Sequence, residues 1–118
     1  MSFDNWRTQL RKGFLDLCIL NCLDGRERYG YDLIQTLKRY NGTAIREGII
    51  YPILARMQSA GLVSSEKRYS SDGPPRKYYH LTPEGKAVLQ DMNSHWQEMV
   101  RVMAQIRKLN HREDSDDG

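Results

Sequence analysis

The residues best equipped for chemistry in this chain of 118 are its three histidines, its two cysteines and a basic, tyrosine-rich segment from Lys67 to Tyr79. His80, His95 and His111 have no Cys, Asp or second His at ligand spacing, so the sequence points to no metal site. No Ser or Cys stands in a nucleophile-elbow context, and no glycine-rich loop with a lysine is placed to cradle phosphates. Cys18 and Cys22 lie one helical turn apart in an apolar run and read as reduced core thiols. The sequence therefore offers no catalytic constellation and calls for no cofactor. What remains is the basic segment: Lys67, Arg68, Arg76 and Lys77 interleaved with Tyr69, Tyr78 and Tyr79 around Pro74 and Pro75. Such cations neutralise phosphates, tyrosine hydroxyls donate to them, and prolines stiffen a tip able to enter a minor groove. The competing reading is a solvated sheet edge guarded by its lysines.

Charge supports a polyanionic partner. The net charge is +3, but Arg112 to Gly118 hold one base and four acids, so residues 1 to 111, with 17 bases and 11 acids, carry +6. A length of 118 residues accommodates one compact domain, and any long apolar face is expected to seek a partner chain. With 39% hydrophobic and 28% charged residues and a mean hydropathy of −0.72, the chain is too apolar for disorder and too polar for a membrane protein. No stretch reaches the roughly 20 apolar residues of a span, and the start, with Asp4, Trp6 and Arg7, is unlike a signal peptide. The expected location is the cytoplasm.

The elements that must position the basic segment follow from periodicity. Leu10, Phe14, Leu17, Cys18 and Leu20 predict a first helix over 6–23 with a broad buried face, ended by Asp24 and Gly25. Leu33, Ile34 and Leu37 predict a second over 29–40, stopped by Asn41 and Gly42. Ile50, Ile53, Leu54 and Met57 carry a third that closes at Gly61, with Pro52 tolerated near its start. Residues 62–69 and 77–82 read as strands of a β-hairpin, with Ser70 to Pro75 as the turn between them. Thr82 before Pro83 opens a fourth helix to about Leu109, and residues 111–118 read as a disordered acidic tail. The fold class is mainly α with a β-hairpin. A winged helix-turn-helix DNA-binding domain over 1–82 is followed by a long C-terminal dimerisation helix over 83–110.

That last helix carries Leu89, Met92, Trp96, Met99, Met103 and Ile106 at alternating intervals of 3 and 4, a strict 3.5-residue repeat. Helix-helix association with a second copy is its natural use, the alternative being packing on helix one of its own chain.

The run Gly73-Pro74-Pro75-Arg76-Lys77-Tyr78-Tyr79-His80-Leu81-Thr82-Pro83-Glu84-Gly85 resembles the wing signature of the PadR family of bacterial transcriptional regulators. Arg11-Lys12-Gly13, Tyr29-Gly30-Tyr31-Asp32-Leu33 and Gly48-Ile49-Ile50-Tyr51-Pro52-Ile53-Leu54 extend the resemblance over roughly residues 8 to 85. It implies a homodimeric winged-helix repressor that binds a palindromic operator in double-stranded DNA and leaves it when an effector binds. Ile49 departs from the pattern, which usually has Thr or Ser there, and offers a base edge only apolar contact.

Docking of this kind puts Arg46, Glu47, Ile49, Ile50 and Tyr51 nearest the bases, with Tyr31, Lys38 and Arg56 on flanking phosphates. The wing contributes Lys67, Arg68, Pro74, Pro75, Arg76, Lys77 and Tyr79. Tyr51 has two readings, a DNA contact or a packed ring with only its hydroxyl exposed; Leu54 and Met57 are expected in the core. Trp96, with Met92, Met99 and Met103 around it, forms a surface on which a small planar aromatic effector could stack, a use the resemblance also implies. The other reading of Trp96 is an anchor of a packed dimer. Asp16 either faces that space and selects cations or lies in solvent. A different class of function stays open: a ligand- or protein-binding module without specific DNA recognition.

Overall fold

The computed structural model describes residues 1–41 and 45–116. Its elements are α1 (Phe3–Cys22), β1 (Arg28–Tyr29), α2 (Gly30–Asn41), α3 (Glu47–Ser59), β2 (Val63–Ser70), β3 (Gly73–Leu81) and α4 (Pro83–Asp116). Among the described residues no helix is long and apolar enough to cross a membrane.

Helix α1 starts earlier than its apolar pattern because Ser2 caps it, its hydroxyl accepting from the Asn5 N–H at 3.1 Å. It ends at a turn in which Gly25 takes φ +72°, open to glycine without strain. Leu15, Ile19, Leu20 and Leu23 face inward against Leu33, Ile34 and Leu37 of α2 and Ile50, Leu54 and Met57 of α3. Cys18 and Cys22 are half-buried thiols packed against this cluster, and burial pushes the Cys22 thiol above its usual range. Leu10 and Phe14, expected on the buried face of α1, stand 46% and 37% exposed. The core ends at Leu15 because α2 and α3 are too short to reach farther along α1.

The turn after α3 is a Schellman motif. Gly61, at φ +79°, donates to the Gln58 carbonyl at 3.1 Å, and Leu62 to Met57 at 3.0 Å. Pro52 is the sixth residue of α3, deeper than expected, and denies a donor to the carbonyl of Gly48, which is exposed. Gly42, half of the stop signal expected for α2, lies outside the described residues.

The hairpin is part of a three-stranded antiparallel sheet in the order β1-β3-β2. Residues Arg28 and Tyr29 pair with Tyr79 and Tyr78, an edge too short for any periodicity to announce. Gly73, Pro74 and Pro75, expected in the loop, belong to β3, which leaves Ser71 and Asp72 as the turn. Two prolines are tolerated there because the ladder is irregular between Arg68 and Ser70 and the tip is exposed.

Thr82 couples the wing to α4. Its hydroxyl accepts the Gly85 N–H at 2.9 Å and donates to the Gly61 carbonyl at 2.6 Å, while its own N–H reaches the Leu62 carbonyl at 3.1 Å. This seats the first turn of α4 on backbone: a Cβ at Gly85 would overlap the Leu62 carbonyl group. Gly85→Ala is therefore expected to cost roughly 3 kcal/mol in a urea unfolding titration, because backbone must move to relieve the overlap. Farther along, the amides of Asn21 and Asn93 exchange two hydrogen bonds of 2.9 Å, tying α1 to α4. Helix α4 continues to Asp116, so residues 111–116 extend it where a disordered tail was expected. The molecule is 72 Å long and 30 Å by 22 Å across, since much of α4 extends past the body.

Candidate nucleic-acid interface

Two surfaces collect the residues singled out above. On the first, the N-cap residue Arg46 and, within α3, Glu47, Ile49 and Tyr51 face solvent, Ile49 being 38% and Tyr51 41% exposed. Ile50 is a correction: it is fully buried, since it lies one and two turns before Leu54 and Met57 on the inward stripe, and it is closed to DNA. Both readings of Tyr51 meet in the structure. The residue is exposed, yet its hydroxyl rests on Gly30, where a Cβ would stand 2.5 Å away. Tyr31 is 56% exposed and stacks on Tyr29 with ring centroids 6.3 Å apart, and Lys38 is exposed farther along α2.

The wing carries like charges directly opposite one another: Lys67 faces Lys77 and Arg68 faces Arg76 across the ladder. Such pairs destabilise a sheet unless something anionic compensates them. Arg68 finds that compensation inside the chain, bonding Glu27 at 2.7 Å and also Glu66. These carboxylates hold Arg68 more firmly protonated and occupy the fork expected to grip DNA, which is a second correction. Arg76 lies over the Tyr29 ring at 4.7 Å and Lys77 over the Tyr79 ring at 5.7 Å. Lys67, Arg76 and Lys77 have no carboxylate partner among the described residues. Pro74 and Pro75 are exposed beside them. Tyr79 is 4% exposed, its ring in the core, so it offers DNA no ring surface.

The Arg68 pair predicts an acid limb of stability. Arg68 holds the Glu27 carboxyl below its ordinary value of 4.5, mainly through their hydrogen bond. A depressed carboxylate stabilises the fold above that ordinary value and loses its contribution as pH falls through the lower, folded one. Thermal melts of wild type and Glu27→Gln should differ slightly at neutral pH and converge in strong acid; a difference that persists there would break the assignment.

Arg56 was expected on a phosphate, and Asp16 in solvent or beside Trp96. Instead they pair at 2.8 Å, which is a correction for both. Asp16 neutralises Arg56 in the last turn of α3, far from the exposed start of that helix.

Two residues that tie elements together, Arg28 part-buried and Glu27 exposed, escaped the sequence. Arg28, its side chain 15% exposed, donates to the Cys22 carbonyl, Asp32 and Thr36, joining the end of α1 to α2. Glu27 clamps the wing from the loop before it. Neither carries a local signal, since both read as polar residues of a turn.

The second surface surrounds Trp96. Phe14 approaches its ring at 5.8 Å, and a cavity of about 280 Å³ is lined by Leu10, Phe14, Leu17, Met92, Trp96 and Met99 among others. Of the seam on α4, Leu89 is a correction, being 1% exposed in the chain's own core, and Met92 packs at the edge of that core. The rest is open: Trp96 38%, Met99 49%, Met103 57% and Ile106 49% exposed. A second apolar stripe on α1 lies exposed as well, at Phe3, Trp6, Leu10 and Phe14.

A helix-turn-helix with an exposed third helix, a charged hairpin after it and a long helix beyond defines a winged-helix protein of the DNA-binding class. The sequence model described as the Transcriptional regulator PadR-like family matches residues 19–91. The chain belongs to this PadR-like family of transcriptional regulators, whose members are not enzymes. It is 33% identical over 93 residues to the transcriptional regulator Rv3488 of Mycobacterium tuberculosis, covering 79% of this chain and 85% of that protein. It is 38% identical to a PadR-like transcription factor from Bacteroides fragilis, with a TM-score of 0.74 over 86% of this chain and 98% of the other. A PadR-like transcriptional regulator from Bacillus cereus is also 38% identical, with a TM-score of 0.75 over 83% and 95%.

Proposed function

We propose that the chain is a homodimeric repressor that reads a palindromic operator and is released from it by a small, planar aromatic effector. The observation that carries DNA binding is the uncompensated like charge of Lys67, Arg76 and Lys77 beside the exposed start of α3. Arg46, Glu47, Ile49 and Tyr51 then face base edges in the major groove. Tyr31, Lys38 and the wing, with Pro74 and Pro75 at its tip, follow the backbone. Ile49 selects for an apolar edge such as a thymine methyl.

The dimer reading rests on the two open apolar stripes, one on α1 and one from Trp96 to Ile106 on α4. Pairing these stripes with those of a second copy sets the separation of the two wings. The apolar space beside Trp96, between α1 and α4, adjoins that pairing surface, and a flat ligand inserted there would alter the separation.

Selection from random duplex DNA at physiological salt, with excess competitor, tests the reading. A palindrome with half-sites about one helical turn apart is expected. A retained pool no different from its input overturns sequence-specific recognition.

A further inference from the structure

Between the start of α2, the exposed side of α3 and the root of the wing lies a cleft of about 620 Å³. Its lining contains tyrosines, a proline, a glycine, Arg76 and Lys77, and no acidic side chain. Tyr79 reaches it from the core. The residue is 96% buried by its 4% exposure, and its hydroxyl has no hydrogen-bond partner among the described residues. No described buried polar side-chain atom is both sealed from solvent and unpartnered, so this hydroxyl is open, and the opening is the cleft. Burial and the neighbouring Tyr51 raise its pKa, keeping it a proton donor.

The cleft floor is equally specific. Gly30, the first residue of α2, lets the Tyr51 hydroxyl come closer than any side chain would allow. The N–H groups of the first helical turn lie at this end and carry partial positive charge. Asp32, the carboxylate of that turn, is turned to Arg28 at 3.2 Å. Hydroxyl donors, a helix start and two cations thus converge where the chain supplies no anion. A tetrahedral oxyanion with several acceptor oxygens satisfies such a donor set.

We propose that this cleft seats a single phosphate group, with the Tyr79 hydroxyl as its innermost donor and Tyr51, Arg76 and Lys77 around it. On the regulator reading above, on which the source of the phosphate rests, it is one backbone phosphate in each operator half-site.

Tyr79→Phe and Tyr51→Phe each remove one oxygen and leave the ring packed. Wild type and both variants are compared on a mixed-sequence duplex long enough for two half-sites. In parallel, inorganic phosphate is titrated while the Gly30 amide is followed by NMR. Tyr79→Phe is expected to weaken duplex binding on the order of 100-fold for every sequence, since a hydrogen bond to a charged group, worth roughly tenfold or more, is lost in each of the two half-sites. The salt slope should not change, because a neutral donor releases no counterion. Ethylating one phosphate per half-site should hinder the wild type strongly and Tyr79→Phe less, by the share that the lost hydroxyl contributed. Unchanged affinity together with an unshifted Gly30 amide overturns the seat. A phosphate-induced shift that weakens in Tyr79→Phe, without any effect on duplex binding, keeps the seat and overturns DNA as its source. Failure of the wild type to bind any duplex defeats the regulator reading alone, and the Gly30 titration then decides the seat.

Discussion

Replacing Arg76 and Lys77 together by alanine is expected to abolish most duplex binding at physiological salt while leaving the fold intact. Both side chains are exposed and lack a carboxylate partner among the described residues, so their removal disturbs only their stacking on Tyr29 and Tyr79. A dimer carries two wings, hence four such cations. At about 0.9 of a counterion per phosphate contact, the slope of log affinity against log salt should flatten by about 3.6. Extrapolated from equal affinity near 1 M salt, that is a loss on the order of 1,000-fold at 0.15 M. Arg68→Ala gives the contrast, because its fork is already spent on Glu27 and Glu66. It should weaken the hairpin more than it changes the salt slope. Titration of a fluorescent duplex over a range of salt checks both, and an unchanged slope in the double variant removes the wing from the interface.

The second large effect lies on α4. Met99→Glu with Met103→Glu places two charges per chain on the open part of the seam, where each residue is about half exposed in the single chain. In a dimer these four carboxylates would be buried without partners, at several kcal/mol for each ion. Since 1.4 kcal/mol is tenfold in an equilibrium constant, the variant should sediment as a monomer at micromolar concentration. Glutamate is a good helix former, so circular dichroism should show α4 retained. Binding to a two-half-site duplex should fall toward that of one half-site. A variant that stays dimeric would move the interface elsewhere, with the exposed stripe of α1 as the remaining surface.

The two surfaces were legible in the sequence to different depths. Helices α2, α3 and α4 announce themselves because Leu33, Ile34 and Leu37, then Ile50, Leu54 and Met57, then the seam itself repeat at helical spacing. The turn at Asp24 and Gly25, the Schellman glycine Gly61 and the Thr82 cap are equally local, each residue type being demanded by its own backbone. The wing was recognisable from charge and tyrosine content, but its extent was not. Prolines suggested a loop where an exposed, irregular ladder in fact admits them. Strand β1 has two residues and exists only because β3 lies beside it.

Side-chain partnership was the illegible part. Arg56 and Arg68 look the same as Arg76 in the sequence, yet Asp16, 40 residues from Arg56, and Glu27, 41 residues from Arg68, commit the first two within the chain. Ile49 and Ile50 are identical in type, and only the inward stripe of α3 sends the second into the core. Tyr79 reads as a surface tyrosine until β3 turns its ring inward and leaves the hydroxyl at the cleft. Composition and periodicity by themselves determined the helices and the basic hairpin, and the motif runs carried the family resemblance, because these depend on neighbours close in the chain. Which cations remain open to a polyanion, and where the seam stops being core and becomes surface, were decided by tertiary contacts. Charge pairing and burial depend on distance in space, and residues 40 positions apart meet only once the chain has folded.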